Sequence, residues 1–474
     1  MLEALRVGQG TTGYSTGNLY ATVDRRLDRV RSKFDKETLK IVADSRSAAI
    51  DRIESLIAEH AIACDFRRVP FFHIAETADG EKALKDEFAA CTEAGLRVSL
   101  GGPQGVPLPF PVHSALRLEG QAQLNPLAYT CAFAGATAAA GCRIHEGTKA
   151  ISVDEEDGQC IVTTESGHTV RARHVLMATH SPKGIMFVQT LLGPYREYAL
   201  AATLASGTYP PPGTFWTMTG EQRHSLRHYR NEAGEDFLLC LGEPHKVGQK
   251  PDDAESNVEL FTRLETYLRE RFDVASIAYR WGAQHYRSAD GLPYIGPRDD
   301  DSHVHIATGF ATDGLVYGTL AAMLVTDHIV GRDNPWAHAY RFGRRTPIKS
   351  AAAWIKENAN VAWQYLKDLP SNVDADHFAD IGPGEGKTIL VDGSKCAAFR
   401  DDNGALSVVS AVCTHMACIV AFNPGERTWD CPCHGSRFRT DGTVIEGPAI
   451  NDLPSISVSI VAEQIAKEGE KENT

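Results

Sequence analysis

Four of the eleven cysteines, Cys413, Cys418, Cys431 and Cys433, fall within 21 residues near the C-terminus, with His415 and His434 among them. The two runs are Cys413-Thr-His415-Met-Ala-Cys418 and Cys431-Pro-Cys433-His434-Gly-Ser436. Each is a short loop holding one Cys and one His, with a second Cys close by. Such clustering in an intracellular chain indicates metal before a disulfide framework. A thiolate suits iron, and neutral imidazole ligates it too. Two Cys plus two His would equally suit tetrahedral zinc. Three features favour an iron–sulfur centre: both halves carry a Cys beyond the 2+2 set, Gly435 and Ser436 offer N–H and hydroxyl donors to sulfide, and a further loop, Glu446-Gly-Pro-Ala449, follows at a distance suited to covering a cluster. The other seven cysteines, Cys64, Cys91, Cys131, Cys142, Cys160, Cys240 and Cys396, are scattered and read as small buried hydrophobes.

The paired loops resemble the Rieske family, in the branch that also joins its two loops by a disulfide. The resemblance implies Cys413 and Cys431 on one iron of a [2Fe–2S] cluster, His415 and His434 on the other, and Cys418–Cys433 as the disulfide. Two positions depart from the family. Ala417 stands where Gly is usual; if that backbone needs positive φ, Ala costs about 1 kcal/mol. Phe438 stands where high-potential members carry a Tyr whose hydroxyl bonds a ligand sulfur, so the potential is expected in the lower half of the Rieske range.

The remaining 400 or so residues are long enough for one or two more domains. Hydrophobic residues make up 43% and charged residues 23%, an ordinary globular balance. A net charge of −13 disfavours nucleic acid as a partner. No apolar run reaches the roughly 18 residues of a membrane span, and MLEALRVGQG lacks the basic start and apolar core of a signal peptide. The expected location is the cytoplasm.

Along the chain, residues 36–60 predict a helix, with Leu39, Val42, Arg46, Ala49, Ile53 and Leu56 on one stripe, all apolar but Arg46. Residues 80–94, 257–272 and 314–330 predict further helices, the last stopping at Gly331. Between 143 and 178 the pattern changes to strands joined by turns. Tyr209-Pro-Pro-Pro-Gly213 is a rigid loop. Strands are expected at 277–286 and 303–308, with a turn at 289–297. Residues 346–370 predict a connecting helix, residues from about 374 a small all-β unit, and 463–474 a frayed tail.

Three stretches suggest a dinucleotide cofactor. The first is Leu2-Glu3 followed by the Gly/Thr-rich run Val7-Gly-Gln-Gly-Thr-Thr-Gly-Tyr-Ser-Thr-Gly17; an acid at a strand end is what holds a ribose hydroxyl. The second is Val175-Leu-Met-Ala-Thr179, a buried strand ending in small residues. The third is Asp290-Gly-Leu-Pro-Tyr-Ile-Gly296, then His305-Ile-Ala-Thr-Gly-Phe-Ala-Thr-Asp-Gly314 leading into a helix, an N-terminus aimed at an anion or electron-rich carbonyl. In this order they resemble the D-amino-acid-oxidase/glycine-oxidase family over residues 2–342. The resemblance implies FAD contacts at Glu3, Thr11, Thr12, Ala150, Thr179, Gly309, Gly314 and Leu315. It also places the last turn and helix at the flavin pyrimidine edge.

Two departures follow. That family opens with a strand and a G-x-G-x-x-G turn about 20 residues before the ribose acid, whereas two residues precede Glu3; the expectation is that this unit is missing from the sequence and lies upstream, and that without it FAD binds weakly or not at all. The family also places an Arg for the substrate carboxylate where this chain has His285, with Arg287 two residues on and on the same strand face. His285 and Arg287 are therefore the candidate catalytic residues, and amines stay open beside amino acids. His224 and His228, in HSLRH, are expected one helical turn apart as a surface pair rather than a metal site. The two-His-one-carboxylate iron site of Rieske oxygenases has no counterpart at the usual spacing.

The expected architecture is α/β and α+β. A split FAD-binding Rossmann-like domain with an inserted antiparallel substrate domain spans 1–342, a helical linker 343–373, a small all-β Rieske domain 374–462 and a disordered tail 463–474. The expected activity is oxidation of an amine or amino-acid C–N bond. Two electrons enter at FAD and leave singly through the cluster to an external carrier. The alternative is an electron-transfer iron–sulfur protein without substrate chemistry of its own.

Overall fold

The computed structural model describes residues 1–182, 187–219, 222–344, 351–367, 373–457, 459–462 and 465. They form two compact units, one of residues 1–180, 197–244 and 261–351, the other of residues 181–196, 245–260 and 352–474.

In the first unit the helix Lys36–Glu59 starts on Asp35, whose carboxylate accepts the Thr38 N–H at 2.8 Å. Its stripe is buried at Leu39, Val42, Ala49 and Ile53, and Arg46 is buried with them. This face packs on the helix Gly314–Ile329. The other expected helices appear as Glu81–Glu93 and Asn257–Arg271.

A short sheet carries Val304–Thr308 at its centre, parallel to Val175–Met177 and antiparallel to Tyr294–Pro297. All five residues of the central strand, Val304-His-Ile-Ala-Thr308, are buried. Beside it Ala150–Glu156, Gln159–Thr164 and Thr169–Ala172 form the antiparallel set expected between 143 and 178. A nine-stranded sheet stands where the inserted antiparallel layer is expected; in it Thr214–Thr219 runs parallel to Arg67–Ala75 and antiparallel to Gln222–Arg230.

Two local expectations are corrected. Residues 289–297 are not all turn, because Tyr294–Pro297 is a strand; Asp290 is fixed by a buried bidentate pair with Arg344, 2.8 Å at both oxygens. His224 and His228 lie on the strand Gln222–Arg230, not a helix. The strand is central, paired on both sides, which overrides the helical spacing. His224 is buried and stacked on Tyr267, while His228 Nε2 meets Asp236 at 2.7 Å.

In the second unit the connecting helix is Ala351–Lys367; its expected ends at 346–350 and 368–370 lie outside the described residues, as does the expected tail 463–474 apart from Ile465. Gly386–Val391, Ser394–Arg400 and Leu406–Ser410 form one antiparallel sheet. Ala421–Asn423, Thr428–Asp430, Arg437–Phe438 and Val444–Glu446 form the other. Trp429 and Phe438 are fully buried in a core that includes Cys413, Cys418, Cys431 and Cys433. Arg196 pairs with Glu426 at 2.5 Å and Glu446 at 3.4 Å, and Arg437 with Glu426, Asp430 and Glu446, so a shared ionic network fastens the 181–196 segment to the β unit. Among the described residues no helix is long and apolar enough to cross a membrane.

Candidate functional site

The two cysteine-histidine loops are built alike. In the first, Cys413 N–H donates to Cys418 O at 2.8 Å and Ala417 N–H to Cys413 O at 3.0 Å. In the second, Cys431 N–H donates to Ser436 O at 2.7 Å and Gly435 N–H to Cys431 O at 3.1 Å. Each closure needs one left-handed residue, supplied by Ala417 at φ 57° and Gly435 at φ 81°. A disulfide joins Cys418 to Cys433 with Cα atoms 6.5 Å apart.

The four proposed ligands meet between the loops. The Cys413 and Cys431 sulfurs are within hydrogen-bond reach of each other, and the His415 and His434 rings stand 5.1 Å apart edge to face. The bond from Cys431, then backbone N–H groups of His415 and Met416 and the Ser436 hydroxyl, bring the Cys413 thiol down to about 7 against the opposing effect of burial. Such donors stabilise anionic sulfur. Burial, then the neighbouring His415, lowers His434 to about 4, which keeps its imidazole neutral as a metal ligand requires. Two sulfurs and two imidazoles are the donor set of a Rieske cluster. The two histidines are not equivalent. His434 is 8% exposed, in a cleft with Leu192, Pro194, Glu357 and Asn360, whereas His415 is half-buried beside the exposed Met416 and Val412. Phe438 lies in the same core as the cysteines and has no hydroxyl to offer.

The expected flavin contacts fall into two groups. Glu3 N–H donates to His145 O, and Thr148 N–H donates to Glu3 O, which brings Glu3 near Ala150 at the start of its strand. The Glu3 carboxylate accepts the Leu5 N–H at 3.0 Å. Thr11 and Thr12 open a single 3₁₀ turn. Around the short parallel sheet, Thr308 Oγ1 donates to His180 O at 2.7 Å, so Thr179 and Gly309 share its carboxyl end. That is where ligands sit in open parallel sheets. Gly309 has φ 78°; Gly314 opens the next helix with nothing within 4 Å of where a Cβ would stand. The Asp313 carboxylate does not cap that helix, so its first-turn N–H groups have no side-chain acceptor from Asp313. These features fit a flavin carbonyl.

His285 and Arg287 lie on Val274–Ser288, beside the loop before the helix: Ala311 N–H donates to Tyr286 O at 2.9 Å. Arg287 Nη2 donates to Glu197 at 3.1 Å and its Nε lies 3.6 Å from Asp24. Arg223 bonds both carboxylates as well. Burial pushes the Asp24 carboxyl up, but Arg223 and then Arg287 outweigh it and hold it well below the usual range. Burial raises Glu197, against the pull of Arg223. Burial, then Arg287, holds His285 neutral far below the usual histidine value. Thr312 Oγ1 donates to Asp24 at 2.9 Å. Asp313 accepts from the Tyr20 hydroxyl and the Asp24 N–H and pairs with Arg46 at 3.0 Å.

Asp24, Glu197, Arg223 and Tyr20 escaped the sequence reading, and Asp313 entered it only as part of the run leading to Gly314. One signal for them was present: Arg46 on an otherwise apolar stripe demands a buried anion, and Asp313 is that anion.

The chain matches the FAD dependent oxidoreductase (DAO) family over residues 1–328 and the Rieske [2Fe-2S] domain family over residues 371–457. It is 30% identical over 462 residues to YhfW of Bacillus subtilis (strain 168), a protein named for a Rieske 2Fe-2S iron-sulfur centre; the match covers 97% of this chain and 88% of that one. The Cytochrome b6-f complex iron-sulfur subunit of Synechococcus sp. (strain JA-3-3Ab) is 42% identical over 66 residues, 14% of this chain and 38% of the subunit. Glycine oxidase from Geobacillus kaustophilus shares the fold, with a TM-score of 0.55 at 16% identity over 70% of this chain and 88% of that enzyme.

Proposed function

The chain belongs to the FAD dependent oxidoreductase (DAO) family and carries a C-terminal Rieske [2Fe-2S] domain; from that premise we propose that it oxidises an amine or amino-acid C–N bond and passes the electrons through the cluster to an external one-electron carrier. When bound, FAD supplies two-electron oxidation and the cluster one-electron transfer. The observation that supports the reading is their union in one chain, with Cys413, Cys431, His415 and His434 brought to one place. The name of the glycine oxidase neighbour favours a C–N substrate.

In this reading Cys413 and Cys431 hold one iron and His415 and His434 the other. Glu3, Thr11, Thr12 and Ala150 face the nucleotide part of FAD. Thr179, Gly309, Gly314 and Leu315 face its ring. Asp24, Glu197, Arg223 and Arg287 balance two negative against two positive charges, so Arg287 is already engaged rather than held for a substrate carboxylate. That favours amines and secondary amines over simple α-amino acids. Burial and then Arg287 keep His285 neutral, so it offers the substrate an uncharged imidazole and resists taking up a proton.

The test is anaerobic: the flavin-loaded protein is mixed with a panel of primary amines, secondary amines and amino acids, and flavin bleaching is followed. Bleaching by one substrate class is expected. No bleaching by any member, with the cluster intact, would favour an electron carrier without substrate chemistry.

A further inference from the structure

Arg227, on the strand Gln222–Arg230, is a buried cation without an anion. The other buried arginines, Arg46, Arg196, Arg287, Arg344 and Arg437, each pair with a carboxylate. Among the described residues Arg227 pairs with none: its Nη1 donates to Thr16 O and Leu124 O, and its Nε to His228 O. We propose that Arg227, with Thr16, Asn18 and Ser225, is a subsite for a carboxylate carried by the substrate amine. The inference rests on the proposed C–N oxidation and names the class of amine.

The first argument is energetic. A guanidinium taken out of water without a partner charge is costly, and buried charges are ordinarily paired. Burial outweighs the pull of Asp65 and pushes the Arg227 guanidinium down to about 10, so it stays charged at pH 7. Asp65 is itself engaged by Arg67. Main-chain carbonyls meet Nη1. Nη2 bonds to nothing in the protein and is not shut away, unlike the Nε atoms of Arg46 and Arg196. One arm of the fork is therefore open to a ligand.

The second argument is the donors beside it. Ser225 stands two residues before Arg227, on the same face of the strand. Asn18 Nδ2 donates to Ser225 Oγ at 3.4 Å and to Thr16 Oγ1 at 3.3 Å. The amide is fixed that way round because Asn18 Oδ1 accepts from Gln123 at 3.2 Å and from Thr214 at 3.0 Å. Both hydroxyls thus act as acceptors toward Asn18, and among the described residues neither donates its own proton. Two hydroxyl donors and a guanidinium suit a carboxylate, which only accepts, at two oxygens. Gly17 permits the close approach: at φ 71°, a Cβ there would strike Leu124 O and stand 3.1 Å from Arg227 Nη1.

The third argument is placement. Thr16 and Gly17 close the Gly/Thr-rich run whose Thr11 and Thr12 are proposed flavin contacts. Arg223, which belongs to the paired network of Arg287, lies on the same strand face four residues earlier, about 13 Å along a strand. The subsite is thus neither the family's carboxylate position, which falls at His285, nor part of that network. The substrate class is an amine whose carboxylate lies several bonds from the reacting C–N bond.

The test is calorimetric titration of the flavin-loaded protein with butanoate and hexanoate, with butanamide and hexanamide as uncharged controls, beside the amine panel. The carboxylates should bind at least about tenfold tighter than the amides. Arg227→Gln, which keeps a donor for the main-chain carbonyls, should weaken carboxylate binding about 10–100-fold, as loss of a charged hydrogen bond does, and leave amide binding unchanged. Ser225→Ala leaves Arg227 and its carbonyl bonds in place, carries little risk of misfolding, and should weaken carboxylate binding about two- to tenfold. Flavin bleaching by ω-amino acids should lose the same factors, and bleaching by plain amines none. No preference for carboxylates over amides, or affinity indifferent to both substitutions, would overturn the subsite and leave C–N oxidation standing. Loss of FAD from Arg227→Gln with carboxylate affinity unchanged would assign the anion to the cofactor phosphates and overturn it too. Carboxylate binding that depends on Arg227, with no amine or amino acid bleaching the flavin, would keep the anion subsite and overturn the oxidation reading.

Discussion

The cluster site and the flavin site are specified in opposite ways. Every proposed cluster ligand lies between Cys413 and His434, on two loops that each close on their own backbone bonds. The charged network around the proposed flavin site is drawn from Tyr20, Asp24, Arg46, Glu197, Arg223, Arg287 and Asp313, which sit on six separate segments. A local site is written in spacing, and spacing is visible in a sequence. A dispersed site is written in which strands and helices become neighbours, and a sequence does not state that. The same contrast sets their energetics. The cysteine-histidine loops are closed by their own backbone bonds and a disulfide, whereas the network around Arg287 depends on buried charges that must stay paired.

The largest effect should come from the ligands. Cys413→Ser or His434→Ala is expected to abolish the Rieske EPR signal while substrate still bleaches the flavin. An intact signal in either variant would remove the ligand assignment. Loss of flavin reduction as well would show that the two regions are not separable.

Next comes the charge network. Asp313→Ala leaves the fully buried Arg46 guanidinium without its anion. Breaking such a pair on one side typically costs about 3–5 kcal/mol. Denaturant unfolding followed by tryptophan fluorescence should show that loss in the first unit, with the cluster spectrum retained to the original midpoint. A common shift of both signals would mean that the regions unfold together.

Smaller effects sharpen the cluster side. Phe438→Tyr should raise the potential, since a hydroxyl bond to a ligand sulfur favours the reduced cluster. One hydrogen bond of about 1 kcal/mol corresponds to about 40 mV for one electron. Protein-film voltammetry reads it, and an unchanged or lower value would show that the hydroxyl does not reach sulfur. Ala417→Gly should stabilise the loop by about 0.5–1 kcal/mol, because Ala417 holds φ 57°. Thermal loss of cluster absorbance would report it.

Particular residues show how far the sequence reached. The helix over 36–60 was legible because its stripe is periodic, and Ala417 was legible as a strained position because the loop pattern names it. His224 and His228 misled because four-residue spacing suits a helix face and one face of a strand alike; sheet pairing decided for the strand. Tyr294–Pro297 was hidden because a strand that short has too few residues to show alternation. Asp24 and Glu197 carry no local signature at all, since their partners are Arg223 and Arg287, far along the chain. Arg46 and Arg287 were the visible traces of that network.

The central claim is that substrate electrons reach the cluster within this chain. Freeze-quench EPR after anaerobic mixing of the oxidised protein with the amine that bleaches its flavin tests it directly. The account predicts a reduced Rieske signal growing as the flavin bleaches, and no such growth without substrate. Full flavin bleaching over a cluster that stays oxidised would contradict it.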